Sequence, residues 1–239
     1  MTKLLNAYFS RLSKWTIFRI LLPIMICGGV IGAIAARDMP VAWNAAFMVA
    51  YLIFPHYVGV IVGLFNYPLF TNGTIRNQIS VGHKRQNIFF ADWAASNAFA
   101  SVLFLVFSAA FYTVLAIVGN SSNVSLKALV LGLVFSLLHV ILFTTISQLF
   151  CVMFKGVKSF LAIYLGNQAL IIAGVGVNTL AMKNYVPDGI TALFPTAIGM
   201  RLTSFETESL LAPAMAALGA EIAIVFILSL LYFYRTDIN

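Results

Sequence analysis

The sequence predicts an all-α membrane protein. An N-terminal amphipathic helix lies in the interface, six transmembrane helices follow, both termini are cytoplasmic, and residues 1–239 form one transmembrane domain. Three observations predict this. The chain is 62% hydrophobic and 9% charged, with mean hydropathy +0.98, whereas a soluble domain carries roughly 25% charged residues. A chain so poor in charge cannot cover itself with polar groups, so lipid is its main solvent. Six apolar runs reach the length of about 20 residues that a helix needs to cross a bilayer core. Finally, the 14 Lys and Arg residues distribute asymmetrically between the two sets of connections that those runs define.

The elements follow in order. Leu4, Leu5, Tyr8, Phe9, Leu12 and Trp15 recur at helical spacing among Lys3, Arg11 and Lys14, so residues 1–16 read as an amphipathic helix in the interface. The six spans are Ile17–Ala36, Ala45–Phe65, Ile88–Val118, Leu126–Phe154, Phe160–Met182 and Ala212–Tyr234. The third and fourth are long enough to tilt or protrude. The first has too long a charged lead, and too long an apolar run, for a cleaved signal peptide. With the N-terminus inside, Lys3, Arg11, Lys14, Arg19, Arg76, Lys84, Arg85, Lys155, Lys158 and Arg235 fall on the cytoplasmic side. Arg37, Lys127, Lys183 and Arg201 fall outside. Basic residues retained inside set the orientation, so the net charge of +7 implies a membrane rather than nucleic acid as partner. Cys27 and Cys151 lie far apart in apolar runs, a spacing that supports neither a metal site nor a disulfide.

Between the second and third spans, residues 70–86 contain the most hydrophilic stretch, "NGTIRNQISVGHKRQ". Asn72 or Thr71 can cap a short helix, Ile75 and Ile79 share one face, and Gly82 suits a left-handed stop. The cluster His83, Lys84 and Arg85 follows. A plain connection needs only a few residues. Two readings stand: a basic loop that holds topology against anionic lipid, or a knob that docks into a partner protein.

The run "NGTIRNQISVGHKR" followed directly by an apolar helix resembles the ABC-2 type permeases, the membrane subunits of ABC exporters. The match falls on Gly73, Ile75, Arg76, Asn77, Gly82 and Arg85. An interfacial elbow helix, six spans, a long outer segment before the last span and the ending "YFYRTDIN" extend it over the whole chain. The resemblance implies that residues 70–86 are a coupling helix seated in a groove on an ATPase subunit. Gly73, Thr74, Ile75, Arg76, Asn77, Ile79, Gly82, His83, Lys84 and Arg85 then make the coupling surface, with Ile75 and Ile79 filling the groove. No G-x-x-x-x-G-K-[ST] phosphate loop occurs in the chain, so ATP and Mg belong to the partner and this chain has no cofactor of its own.

Polar groups inside the spans supply further candidates. Glu221 lies about nine residues into the last span, where a carboxylate is either functional or a hydrogen-bonded structural group near the outer water. His56 precedes Gly59 and Gly63 on the second span. That small-residue face serves close helix packing or ligand contact, and Gly28–Gly32 offers a similar face on the first. His139 reads as a packed, hydrogen-bonded histidine. Asn167, Ile171, Gly174 and Asn178 form a stripe at helical spacing that faces protein or a pathway rather than lipid. By the resemblance, His56, Asn167, Ile171, Asn178 and Glu221 are candidates to line a translocation route. Residues 183–211, broken by Pro187 and Pro195, read as a re-entrant outer segment, which the resemblance makes an outer gate.

The expected function is the permease subunit of an ATP-driven exporter in a bacterial plasma membrane. It moves an amphipathic or hydrophobic substrate, a peptide or antimicrobial, as the permeases of bacteriocin and phenol-soluble modulin exporters do. Two permease chains, identical or different, pair with two ATPase subunits. The alternative is an ATP-independent secondary transporter or channel. An intramembrane enzyme is disfavoured: His56, His83 and His139 are scattered, and no nucleophile–base pair or metal motif is apparent.

Overall fold

The computed structural model describes residues 2–36, 54–118, 126–154, 158–191, 193–194, 196–197 and 208–235, and all regular structure among them is helical. In chain order the helices are α1 (Thr2–Lys14), α2 (Thr16–Ala36), α3 (Phe54–Thr71), α4 (Thr74–Ser80), α5 (Arg85–Val118), α6 (Leu126–Phe154), α7 (Lys158–Met182), α8 (Asp188–Thr191) and α9 (Glu208–Arg235). Five of them, α2, α5, α6, α7 and α9, are long and apolar enough to cross a membrane. The chain is a multi-pass membrane protein. At 1.5 Å per residue the 34 residues of α5 run about 51 Å, well beyond a hydrocarbon core of about 30 Å.

The second expected span is described only in part, because residues 45–53 lie outside the described set. Its helix, α3, does not stop at Phe65 but continues to Thr71. Pro68 sits inside it without ending it, since a proline removes one N–H and leaves the residues after it able to bond. The Asn72 amide donates to the Pro68 carbonyl at 3.0 Å, and Gly73 in a left-handed conformation (φ 65°) then turns the chain.

The hub of the bundle is α6, which packs against α3, α5, α7 and α9. This explains how one helix carries Ser136, His139, Thr144, Thr145, Ser147 and Gln148, all buried: neighbouring helices, not lipid, surround them. Several hydroxyls return their proton to the carbonyl one turn back, Ser136 to Gly132 at 2.8 Å and Ser147 to Phe143 at 2.7 Å. His139 stacks on Phe143 with ring centroids 4.8 Å apart. The peripheral helix α2 rests on α5. A β-carbon at Gly29 would come within 2.7 Å of the Phe107 carbonyl, so this glycine admits the neighbouring backbone.

The amphipathic α1 buries Leu4, Tyr8 and Leu12 on one stripe at i, i+4 and i+8. It packs on α5. The helix breaks at Trp15, whose ring lies against Phe65 and Phe99 at 5.5 and 5.7 Å. The Arg19 Nε donates to the Ser13 carbonyl at 3.2 Å, closing an open carbonyl at the end of α1.

Candidate functional site

Two regions gather the polar groups: the end of the bundle around α4, and a cavity between α6, α7 and α9.

Local chemistry shapes α4. Gly73 precedes it, with no side-chain cap. At its far end the Gly82 amide (φ 95°) donates to the Ile79 carbonyl at 2.9 Å and the His83 amide to the Gln78 carbonyl at 3.1 Å. This is the paired Schellman closure that a left-handed glycine allows. The helix is thus bounded by glycine at both ends and has a defined orientation.

That orientation corrects one expectation. Ile75 does not point outward to fill a groove on another protein, and Ile79 is half-buried. Ile75 is 3% exposed and packs in a cluster with Leu4 and Tyr8 of α1, Leu69 of α3 and Ile88 and Phe89 of α5, with Ile79 against its edge. The bundle uses the apolar face of α4 for itself, because α1 folds across it. Facing solvent instead are Arg76, Asn77, Ser80, Val81, Gly82 and Lys84. Val81 is 79% exposed. Thr74 and His83 are half-buried, and the Arg85 Nη1 donates to the Tyr234 carbonyl at 3.1 Å, tying α5 to the end of α9.

Two bonds hold α1 over this end. The Arg11 Nη2 donates to the Phe65 carbonyl at 2.7 Å, with its guanidinium 4.8 Å from the Phe65 ring centre. The Tyr8 hydroxyl donates to Gln78 Oε1 at 3.2 Å. Burial pushes the Tyr8 hydroxyl well above its ordinary value, and the nearby Asp92 carboxylate adds to this. An unfolded chain releases that proton near pH 10, while the folded chain keeps it, so stability is present below pH 10 and is lost as pH rises above it. Thermal unfolding between pH 9 and 11 is expected to show a steeper alkaline loss for the native chain than for Tyr8→Phe. Equal slopes would remove Tyr8 as the cause.

Beneath Tyr8 lies a pair that inspection of the apolar runs missed. Asp92 of α5 is 5% exposed, and Gln148 Nε2 of α6 donates to its Oδ2 at 2.8 Å. Its Oδ1 has no hydrogen-bond partner among the described residues. Asp92 borders a space of about 10 Å³ that Tyr8, Ile75 and Phe233 also line. Next along α5, Ser96 and Asn66 of α3 exchange bonds at 3.3 Å, fully buried. The available signal was a carboxylate inside the third apolar run, which merits attention by default.

The α7 stripe faces protein. Asn167, Gly174 and Asn178 are buried and Ile171 half-buried. Asn167 approaches Gly59 of α3 together with Ser147 of α6, and neither atom of its amide has a hydrogen-bond partner among the described residues. Asn178 Nδ2 turns to Met182 Sδ of its own helix at 3.8 Å. His56 lies in the first turn of α3.

Gly174 receives the segment that follows α7: a β-carbon there would meet Thr196 at 2.7 Å. Thr191, Thr196 and Ala197 are buried, so this part of the segment folds back onto the bundle. Between it and the helices is a cavity of about 210 Å³ lined by Leu142, Phe143 and Ile146 of α6, Leu170 of α7, Leu193, Phe194 and Thr196 of the segment, and Glu221 and Val225 of α9. The structure therefore does not collect the route candidates into one site. Asn167 sits where α3, α6 and α7 meet, and Glu221 lines a separate cavity. Among the described residues, no group of three His, Cys, Asp or Glu side chains could hold a metal.

In comparisons with known proteins, the chain matches no family model and no curated protein.

Proposed function

We propose that the chain is the permease subunit of an ATP-driven exporter of the ABC-2 type, with six spans, both termini cytoplasmic, in a bacterial plasma membrane. Two such chains pair with two ATPase subunits and carry an amphipathic or hydrophobic substrate outward. The observation that carries this reading is α4. It is a glycine-bounded helix whose apolar face is spent on α1, α3 and α5 and whose exposed face offers Arg76, Asn77 and Val81. A mere connection has no need of a short helix packed this firmly. A helix fixed to three others supports the transmission of a rigid-body push from a partner. The partner contact then lies on Arg76, Asn77, Ser80, Val81 and Lys84, with Arg76 and Lys84 meeting carboxylates.

Purification from the native membrane in mild detergent tests the reading. The chain is expected to bring down a second polypeptide that hydrolyses ATP, and to hydrolyse none when purified alone. Hydrolysis by the single chain, or transport in proteoliposomes driven by an ion gradient without ATP, overturns it. The buried Asp92–Gln148 pair and the membrane position of Glu221 favour the second reading, a secondary transporter, since intramembrane carboxylates commonly serve ion-coupled routes. The gradient arm of the experiment decides between them.

A further inference from the structure

We infer that the cavity beside Glu221 is a binding site for a small apolar primary amine: one ring or branched chain on a short arm ending in an ammonium group. As a ligand site this stands on the cavity itself. As a place where substrate is held it rests on the exporter reading above.

The chemistry of the lining selects the ligand. Phe143, Phe194, Leu170 and Val225 supply apolar walls, while Glu221 supplies a carboxylate and Thr196, itself buried, a hydroxyl. Glu221 is nine residues beyond Ala212, where the last apolar span begins. At 1.5 Å per residue that is about 14 Å along the helix, far from both ends. It forms no hydrogen bond or ion pair with a described residue. An intramembrane carboxylate calls for a cation or a hydrogen-bond donor, and among the described residues no basic side chain lines this cavity. An anion is repelled, and a neutral apolar molecule leaves Glu221 unmatched. A primary ammonium can donate to Glu221, and the phenyl rings of the lining can attract it. A quaternary ammonium lacks those donors. The volume of about 210 Å³ is below the range of roughly 300–1,000 Å³ typical of drug-sized ligands, which limits the occupant to one ring with a short arm. A larger amphipathic molecule could present only such a group here.

The experiment uses the full chain, purified without other subunits, in nanodiscs of zwitterionic lipid. Fluorine NMR follows para-fluorophenethylamine and, as an uncharged match, para-fluorophenethyl alcohol. The amine is expected to bind at least about tenfold more tightly than the alcohol, the step that one charge-assisted hydrogen bond supplies. Glu221→Gln should bring the amine to the level of the alcohol and leave the alcohol unchanged. Leu170→Trp, which fills the cavity, should weaken both. Equal binding of the two probes to the native chain overturns the inference, and this comparison needs no variant to fold. Indifference of the amine to Glu221→Gln also overturns it. Binding of neither probe means that the cavity belongs to lipid chains or to the chain itself. The assay contains neither ATP nor a second subunit. Its failure therefore leaves the exporter reading standing, and failure to find an ATPase leaves this site standing.

Discussion

Ile75→Asp is expected to disrupt the α4 end of the bundle, while its neighbour Arg76→Glu leaves the fold intact. Ile75 is packed among Leu4, Tyr8, Leu69, Ile88 and Phe89. Removing that side chain forfeits about 1.5–3 kcal/mol of burial, and an unpaired carboxylate in its place adds a desolvation cost of several kcal/mol. The sum is comparable with the whole stability of many domains, about 5–15 kcal/mol. Arg76 is exposed, so its reversal should change stability by no more than about 0.5 kcal/mol. On the exporter reading the same reversal weakens ATPase association about tenfold or more, since it turns an attraction into a repulsion. Size-exclusion profiles and thermal unfolding measure the first effect, and co-purification measures the second. A monodisperse Ile75→Asp protein of native stability would contradict the packing described here. An Arg76→Glu protein that keeps its ATPase would remove the coupling role.

Gly59→Val should be the other severe change. Even a β-carbon at Gly59 would lie 2.7 Å from Ser147 Oγ and 3.2 Å from Ile163 Cγ2, and closer still to the Asn167 amide. Three helices meet there, so the added methyl groups must push α3 off α6 and α7. Overpacking of this kind costs about 1–3 kcal/mol, and exposing the shared face of three helices to lipid adds to it. Gly176 is the control. A β-carbon there meets nothing within 4 Å, and alanine in place of a helical glycine is favourable by up to about 1 kcal/mol. Unfolding midpoints in detergent should therefore fall for Gly59→Val and hold or rise for Gly176→Ala. A neutral Gly59→Val would mean that α3 and α7 are not in close contact.

Much of the frame was legible in the sequence because lipid imposes a length. The runs Ile88–Val118, Leu126–Phe154 and Phe160–Met182 correspond to helices Arg85–Val118, Leu126–Phe154 and Lys158–Met182. A bilayer asks for about 20 apolar residues, whatever the tertiary contacts. The small-residue faces were readable too: Gly29, Gly59 and Gly63 stand where a neighbouring helix comes close. Direction was not readable. The spacing of Ile75 and Ile79 announces an apolar face but not its occupants, which come from α1 as well as from the neighbouring α3 and α5. Pairing over distance also hid Asp92, whose donor Gln148 is 56 positions away. The Glu221 cavity depends on Thr196 and Ala197 returning to Gly174, a contact that no local pattern encodes. Of the expected outer segment, residues 192, 195 and 198–207 lie outside the described set.

The tethering of α1 has a mechanical consequence. One joint is the Arg11 bond to the Phe65 carbonyl of α3, another the Tyr8 bond to Gln78 of α4, and the chain itself makes the third at Asn72 and Gly73. Three members joined at three points form a triangulated truss, which cannot shear without breaking a joint or bending a strut. A hinge at Gly73 alone would let α4 swing and dissipate any load. With α1 as the brace, a force on α4 is shared between α3 and the amphipathic strut.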